Sequence, residues 1–154
     1  MKNILLVILL FSISGCKHDI KTDSLNEALN DYYGVLIIPS LDMTYGFYDL
    51  DNKLNNISKN VTLISSNIPN TYILAAHSGN GTNAYFESLK FLKESDEVYL
   101  KFKDKTLEYI VKNIRSETKN GKIRIKREEN QVILTTCDQL KKGNQLIIEA
   151  SLKS

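Results

Sequence analysis

Short apolar segments separated by polar turns follow one another from Tyr32 to the end of the chain. Runs rich in β-branched residues, and one run that alternates polar and apolar side chains, are typical of strands. The predicted strands cover residues 34–38, 61–64, 71–76, 97–102, 106–114, 121–125, 131–136 and 145–150. Residues 84–92 are expected to form a short helix or an ordered loop. This spacing predicts an all-β domain over residues 32–154, folded as a closed or nearly closed antiparallel barrel.

The N-terminal segment has a different pattern. An unbroken apolar run, residues 4–11, follows a short start that carries one positive charge. A membrane-spanning helix needs about 20 apolar residues, so this run has the length of a signal-peptide core. Ile13, Ser14, Gly15 and Cys16 then follow in an order that resembles a bacterial lipobox. The resemblance implies a lipoprotein signal peptide over residues 1–15; an ordinary secretory signal or an uncleaved anchor is the alternative.

The lipobox resemblance also predicts where the protein lies. Cys16 would carry a diacylglycerol thioether, and each buried methylene of an acyl chain contributes about 0.8 kcal/mol to membrane binding. Residues 16–31 would be a polar tether with a short helix capped near Asp23 and Ser24. We therefore expect a lipid-anchored domain at the extracytoplasmic face of the cell membrane.

Composition and charge narrow the classes of function. With 42% hydrophobic and 25% charged residues, the 154-residue chain is typical of one globular domain. Its 20 basic and 18 acidic residues leave a net charge of +2, too small to indicate a nucleic-acid partner. The two cysteines and two histidines lack the spacing of a zinc site, so no metal or cofactor is expected.

A basic cluster near the middle of the chain has two interpretations. Two acidic residues follow it directly, which favours a solvated hairpin. The alternative is a surface for acidic wall polymer or lipid headgroups. The cluster consists of Lys119, Lys122, Arg124, Lys126 and Arg127.

One cysteine and one histidine lie within the predicted barrel. If Cys16 is lipidated, Cys137 is the free thiol of an extracytoplasmic protein, where an unused thiol is exposed to oxidation. Cys137 ends one apolar strand, and His77 ends another. A histidine beside a thiol can take its proton and return it to a leaving amine. The alternatives are a buried structural cysteine and a surface histidine.

Three stretches around these residues occur in a definite order. Residues 73–79, Ile-Leu-Ala-Ala-His-Ser-Gly, are an apolar strand ending in histidine. Residues 86–100 begin with an aromatic residue and lead into a strand, and residues 133–137 read Ile-Leu-Thr-Thr-Cys. This order resembles the sortases, the cysteine transpeptidases of Gram-positive cell surfaces, whose cysteine strand reads Thr-Leu-x-Thr-Cys. The resemblance extends from about Tyr32 to the C-terminus.

The sortase resemblance implies an eight-stranded barrel with short helical loops and a two-step acyl transfer. Cys137 would attack a backbone carbonyl in a Leu-Pro-x-Thr-Gly-like sorting signal, and His77 would protonate the departing amine. A second amine, from a peptidoglycan precursor or a pilin lysine, would resolve the thioacyl-enzyme. The implied partners are a surface protein that bears the sorting signal and this amine acceptor. We expect Thr136 and Ser78, next to the catalytic pair, to contact the substrate.

The chain departs from the family at one position. Sortases carry an arginine on the strand after the cysteine, whereas no arginine follows Cys137 here, and Gln145 is the nearest counterpart. A hydrogen bond from a neutral amide is roughly half as strong as a charge-assisted one. Lys141, Lys142 or Arg115 would supply charge if the fold brings them near. Two alternatives therefore stay open: a sortase-like lipoprotein that only hydrolyses or binds peptides, and a structural β-barrel lipoprotein without chemistry.

Overall fold

The computed structural model describes Glu27 and residues 29–154. Cys16, the proposed signal peptide and most of the proposed tether lie outside these residues. Residues 27 and 29–31 are helical, and two short 3₁₀ helices, Pro39–Leu41 and Glu87–Phe91, occur further along the chain. The strands are β1 (Gly34–Ile38), β2 (Met43–Phe47), β3 (Thr62–Ile64), β4 (Thr71–Ala75), β5 (Glu97–Lys101), β6 (Thr106–Thr118), β7 (Gln131–Cys137) and β8 (Asn144–Leu152).

No helix within the described part of the chain has the length and apolar character that a membrane crossing requires.

The eight strands form one sheet in the order β2-β1-β5-β6-β8-β7-β4-β3. A bridge between Phe47 and Val61 joins the two outer strands, so the sheet curves into a nearly closed barrel. The predicted all-β, nearly closed, eight-stranded barrel is confirmed. One pairing differs from the expected antiparallel arrangement, because β4 and β7 run parallel while the other neighbouring strands are antiparallel.

Two strand predictions need correction. β2 was not predicted, because a glycine and a threonine interrupt its apolar pattern; it forms by pairing with β1 across a tight turn in which Asp42 adopts a left-handed φ of 51°. Residues 121–125 were predicted as a strand, but they pair with no strand among the described residues. Side chains from the neighbouring strands bind their backbone carbonyls instead.

A β-bulge in β6 decides which of its side chains face outward. Leu107, Tyr109 and Val111 share the inner face, as predicted, and contribute to the barrel core. The register with β8 then shifts between Val111 and Asn113, so the inner position passes to Ile114. Bulges insert one residue and redirect the side chains beyond it. As a result, Arg115 and the alternate residues after it lie on the outer face of the barrel.

The outer face of β4, β7 and β8 carries a small apolar cluster of its own. Ile73, Ile133 and Ile147 pack together there, on the side of the sheet opposite the barrel core. Ile123 and Ile125 cover them from residues 122–126, which we call the covering segment. Its basic side chains alternate with these isoleucines and are exposed. This alternation explains why the segment resembles a strand in the sequence.

Candidate active site

Cys137 is the last residue of β7 and is half-buried. Side chains alternate along a strand, so Cys137 shares its face with Ile133, on the outer surface of the barrel. It is the free cysteine of the described residues. The thiol is therefore reachable from outside the barrel and lies where the strand gives way to a loop.

His77 lies on the neighbouring strand line, two residues beyond the end of β4. The parallel register pairs Ala75 with Thr135, and its continuation brings His77 level with Cys137 on the same face. Side-chain hydrogen bonds hold this register beyond the strand. Thr136 Oγ1 donates to the Ala76 carbonyl at 2.8 Å, and Ser78 Oγ donates to the Cys137 carbonyl at 2.8 Å.

These two bonds also show how Thr136 and Ser78, the two residues predicted to contact substrate, are used within the fold. Thr136 is 7% exposed and faces the core, and its hydroxyl is used by Ala76; a contact between Thr136 and substrate stays a prediction. Ser78 is half-buried and donates to Cys137; its hydroxyl also accepts a bond of 2.9 Å from Gln139 Nε2.

The loop that follows His77 is anchored by the 3₁₀ helix Glu87–Phe91 and the residue before it. The His77 carbonyl accepts the N–H of Phe86 at 2.9 Å, and the N–H of Gly79 donates to Glu87 Oε2 at 2.5 Å. Gly79 has a φ of 113°, a conformation that favours glycine. Hydrogen bonds from Lys90 first, and then from Gly79, lower the pKa of Glu87. A charged Glu87 therefore helps to hold the His77 loop in place.

Gln145 lies directly opposite Cys137 in the antiparallel β7–β8 pair, so both side chains project from the outer face. It is 8% exposed, and its Nε2 donates to the carbonyl of Lys122 in the covering segment at 2.7 Å. Two further side chains bind the alternate carbonyls of this segment: Arg115 donates to Arg124, and Gln131 Nε2 donates to Lys126 at 3.0 Å. The segment is thus held extended over the sheet.

The three cations expected from the sequence do not reach Cys137 in the structure. Arg115 forms an ion pair of 2.6 Å with Glu149, a carboxylate that is 6% exposed. Lys141 and Lys142 are exposed in the loop between β7 and β8, where the backbone N–H of Lys141 donates to Asp138 at 3.3 Å. None of the three donates a hydrogen bond to the Cys137 sulfur within the described part of the molecule.

The basic side chain at the thiol is Lys119, which sequence reasoning placed only in the basic cluster. Its Nζ lies 3.4 Å from Cys137 Sγ. It was missed because β6 was predicted to end near residue 114, whereas the strand continues to Thr118. The basic cluster is also not a hairpin: Lys119 follows β6 directly, and Lys122, Arg124 and Lys126 belong to the covering segment.

The described part of the chain contains no group of three or more His, Cys, Asp and Glu side chains that could hold a metal ion. The chemistry open to this site is that of a thiol, an imidazole, an amide and an ammonium group. That combination is suited to nucleophilic attack on a carbonyl and to proton transfer.

The fold has counterparts among solved structures of sortases. Sortase C-1 from Actinomyces oris is 22% identical with a TM-score of 0.65, covering 79% of this chain and 73% of that one. Sortase C from Streptococcus pneumoniae is 24% identical with a TM-score of 0.66, covering 79% and 68%. A lid mutant of sortase A from Corynebacterium diphtheriae is 17% identical with a TM-score of 0.66, covering 86% and 93%.

Sequence comparison identifies the family. Residues 36–153 match the model of the sortase domain, which covers most of the chain, and the protein belongs to the sortase family. No curated protein sequence matches it. The resemblance noted at Cys137 and His77 is therefore part of a relationship that extends over the whole barrel.

Proposed function

We propose that this protein is a cysteine transpeptidase that cleaves a Leu-Pro-x-Thr-Gly-like sorting signal and transfers it to an amine. The observation that carries the proposal is the parallel β4–β7 pairing, whose continuation brings His77 level with Cys137 on one face. Hydrogen bonds on both sides of His77, from Thr136 to Ala76 and from Ser78 to Cys137, support that alignment.

The reaction follows from the chemistry of this pair. The Cys137 thiol gives its proton to His77, and the sulfur bonds to the carbonyl carbon of the sorting signal while the carbonyl electron pair moves onto oxygen. The oxyanion then collapses, the C–N bond breaks, and the departing amine takes a proton from His77. A second amine attacks the resulting thioester, gives its proton to His77 and releases the sulfur. A thioester is reactive enough for the new amide to form without a further energy source.

The hydrogen bond of Gln145 supports a role for this residue in holding the backbone of the substrate peptide. Its amide donates to a carbonyl of an extended segment, that of Lys122, directly beside Cys137. A substrate carbonyl would offer this amide the same type of acceptor. We infer that Gln145 binds substrate where other sortases use arginine, with a weaker, neutral donor.

The partners and the location belong to the same proposal. One similar structure, the Streptococcus pneumoniae sortase C, is described in terms of pilin substrate specificity. By analogy, the substrate here is a surface protein with a sorting signal, and the acceptor is a peptidoglycan precursor or a pilin lysine. A lipid on Cys16 would hold the enzyme at the extracytoplasmic face of the membrane, where such substrates emerge.

The test is a ligation assay with the full chain in detergent. A Leu-Pro-x-Thr-Gly peptide and a triglycine acceptor are mixed with enzyme, and products are identified by mass. We expect a ligated peptide and a thioacyl adduct on Cys137, both absent in Cys137→Ala, and a strongly slowed reaction in His77→Ala. If no such peptide forms an adduct, the transpeptidase proposal is wrong. If Cys137 also resists thiol reagents, the protein is not a cysteine enzyme of any kind.

A second function, peptide hydrolysis, is favoured by the neutral residue at position 145. Loss of an oxyanion donor elsewhere costs about 10²–10³ in rate, so a weakened donor prolongs the life of the thioester, and water can resolve it whenever no acceptor amine is bound. The same assay separates the two functions. Hydrolysed peptide that persists at saturating triglycine indicates a hydrolase, and ligated peptide indicates a transpeptidase.

A further inference from the structure

The cation beside the thiol belongs to the residue that directly follows β6, and not to the strand that follows the cysteine. Lys119 Nζ lies 3.4 Å from Cys137 Sγ, while Arg115 is paired with Glu149. Among the described residues, no carboxylate lies within 4 Å of Lys119 Nζ. The positive charge of Lys119 therefore faces the sulfur without a competing ion pair.

The backbone holds Lys119 in this position. Its N–H donates to the Gly143 carbonyl at 2.9 Å, which continues the β6–β8 pairing one step beyond Thr118 and Asn144. The bulge after Val111 sets the alternation that places position 119, like Glu117, on the outer face. Lys119 is thus an extension of a paired strand, and its side chain starts from a defined point.

We propose that Lys119 is a catalytic residue that supplies the positive charge of this active site. The inference rests on the proposed acyl transfer. In the free enzyme its ammonium group donates to the Cys137 sulfur. When the sulfur bonds to the substrate carbonyl carbon, negative charge moves to the carbonyl oxygen, which lies two bonds from the sulfur. The Lys119 ammonium group has three N–H donors and can donate one of them to that oxyanion. No proton leaves Lys119, because His77 performs the proton transfers.

The kinetic test compares Lys119→Met with Lys119→Arg. Methionine keeps much of the apolar stem without the charge, whereas arginine keeps the charge. We expect Lys119→Met to lower the rate of thioacyl formation about 10²-fold, as for loss of an oxyanion donor, and Lys119→Arg to recover most of it. Lys142→Met removes an exposed charge from the nearby β7–β8 loop and is the control, with the rate of the wild type.

A second measurement needs no sorting signal. Methanethiosulfonates with a sulfonate or a trimethylammonium group form a disulfide with Cys137 and release methanesulfinate. The positive charge of Lys119 favours the anionic reagent. For unit charges about 8 Å apart in water, removing this charge should lower the ratio of the anionic to the cationic reaction rate about fivefold at low salt. The ratio should stay at the wild-type value in Lys119→Arg and Lys142→Met.

The two measurements separate failure of this inference from failure of the proposed function. A wild-type chain that forms no thioacyl adduct overturns the transpeptidase proposal, while the reagent ratio still reports the charge at Cys137. If the wild type is acylated and Lys119→Met matches it in acylation rate, Lys119 is not catalytic. An unchanged reagent ratio in Lys119→Met would overturn the placement of its charge beside the sulfur.

Discussion

The hydrogen bond from Thr136 to the Ala76 carbonyl links the cysteine strand to the histidine strand, one residue away from each catalytic side chain. Both residues are buried, and the O···O distance is 2.8 Å. Thr136→Val removes the donor while keeping the shape of the side chain. The Ala76 carbonyl is then left without this partner in the barrel interior, where water cannot replace it.

The expected cost follows from that burial. Leaving a buried acceptor unsatisfied costs about 1–3 kcal/mol. For a domain of this size, such a loss lowers the melting temperature by roughly 3–12 °C. Thr136→Ser keeps the hydroxyl and loses one methyl group, worth about 0.8 kcal/mol, so it should melt closer to the wild type.

The measurement combines thermal unfolding with the rate of thioacyl formation. Because small misplacements of reacting groups are costly, we expect Thr136→Val to slow acylation about tenfold or more at temperatures where it remains folded. Thr136→Ser should stay near the wild type. A valine variant that melts within roughly 1 °C of the wild type and acylates at the same rate would refute the reasoning that this bond aligns the site.

Two further predictions concern Gln145 and Glu87. Gln145→Ala should lower turnover in the ligation assay, because it removes the amide beside Cys137. Gln145→Arg should be tolerated, because Glu117 lies opposite position 145 on β6. If Gln145→Ala turns over at the wild-type rate, Gln145 is not part of the site. The lowered pKa of Glu87 means that its charge stabilises the fold above its unfolded pKa, and this contribution is lost as pH falls through the folded value. The melting temperatures of the wild type and Glu87→Gln should therefore converge on acidification; a constant difference from pH 7 to pH 3 would contradict this.

Much of the barrel is determined by local pattern. β1 and β7 are short apolar runs rich in β-branched residues, and their side chains are buried in the structure as that composition predicts. The order of His77 and Cys137, each at the end of such a run, is also visible in the sequence. Local pattern is sufficient for these strands because burial on both faces favours apolar and β-branched residues at most of their positions.

The composition of the site was decided by long-range pairing. A one-residue shift reverses the face of every later side chain in a strand, and the bulge after Val111 makes that shift. Continuing the alternation of Leu107, Tyr109 and Val111 would have sent position 119 into the core, whereas the bulged β6 brings Lys119 to the thiol. Local sequence does not encode such a bulge, because it arises from the register between β6 and a strand almost forty residues away in sequence.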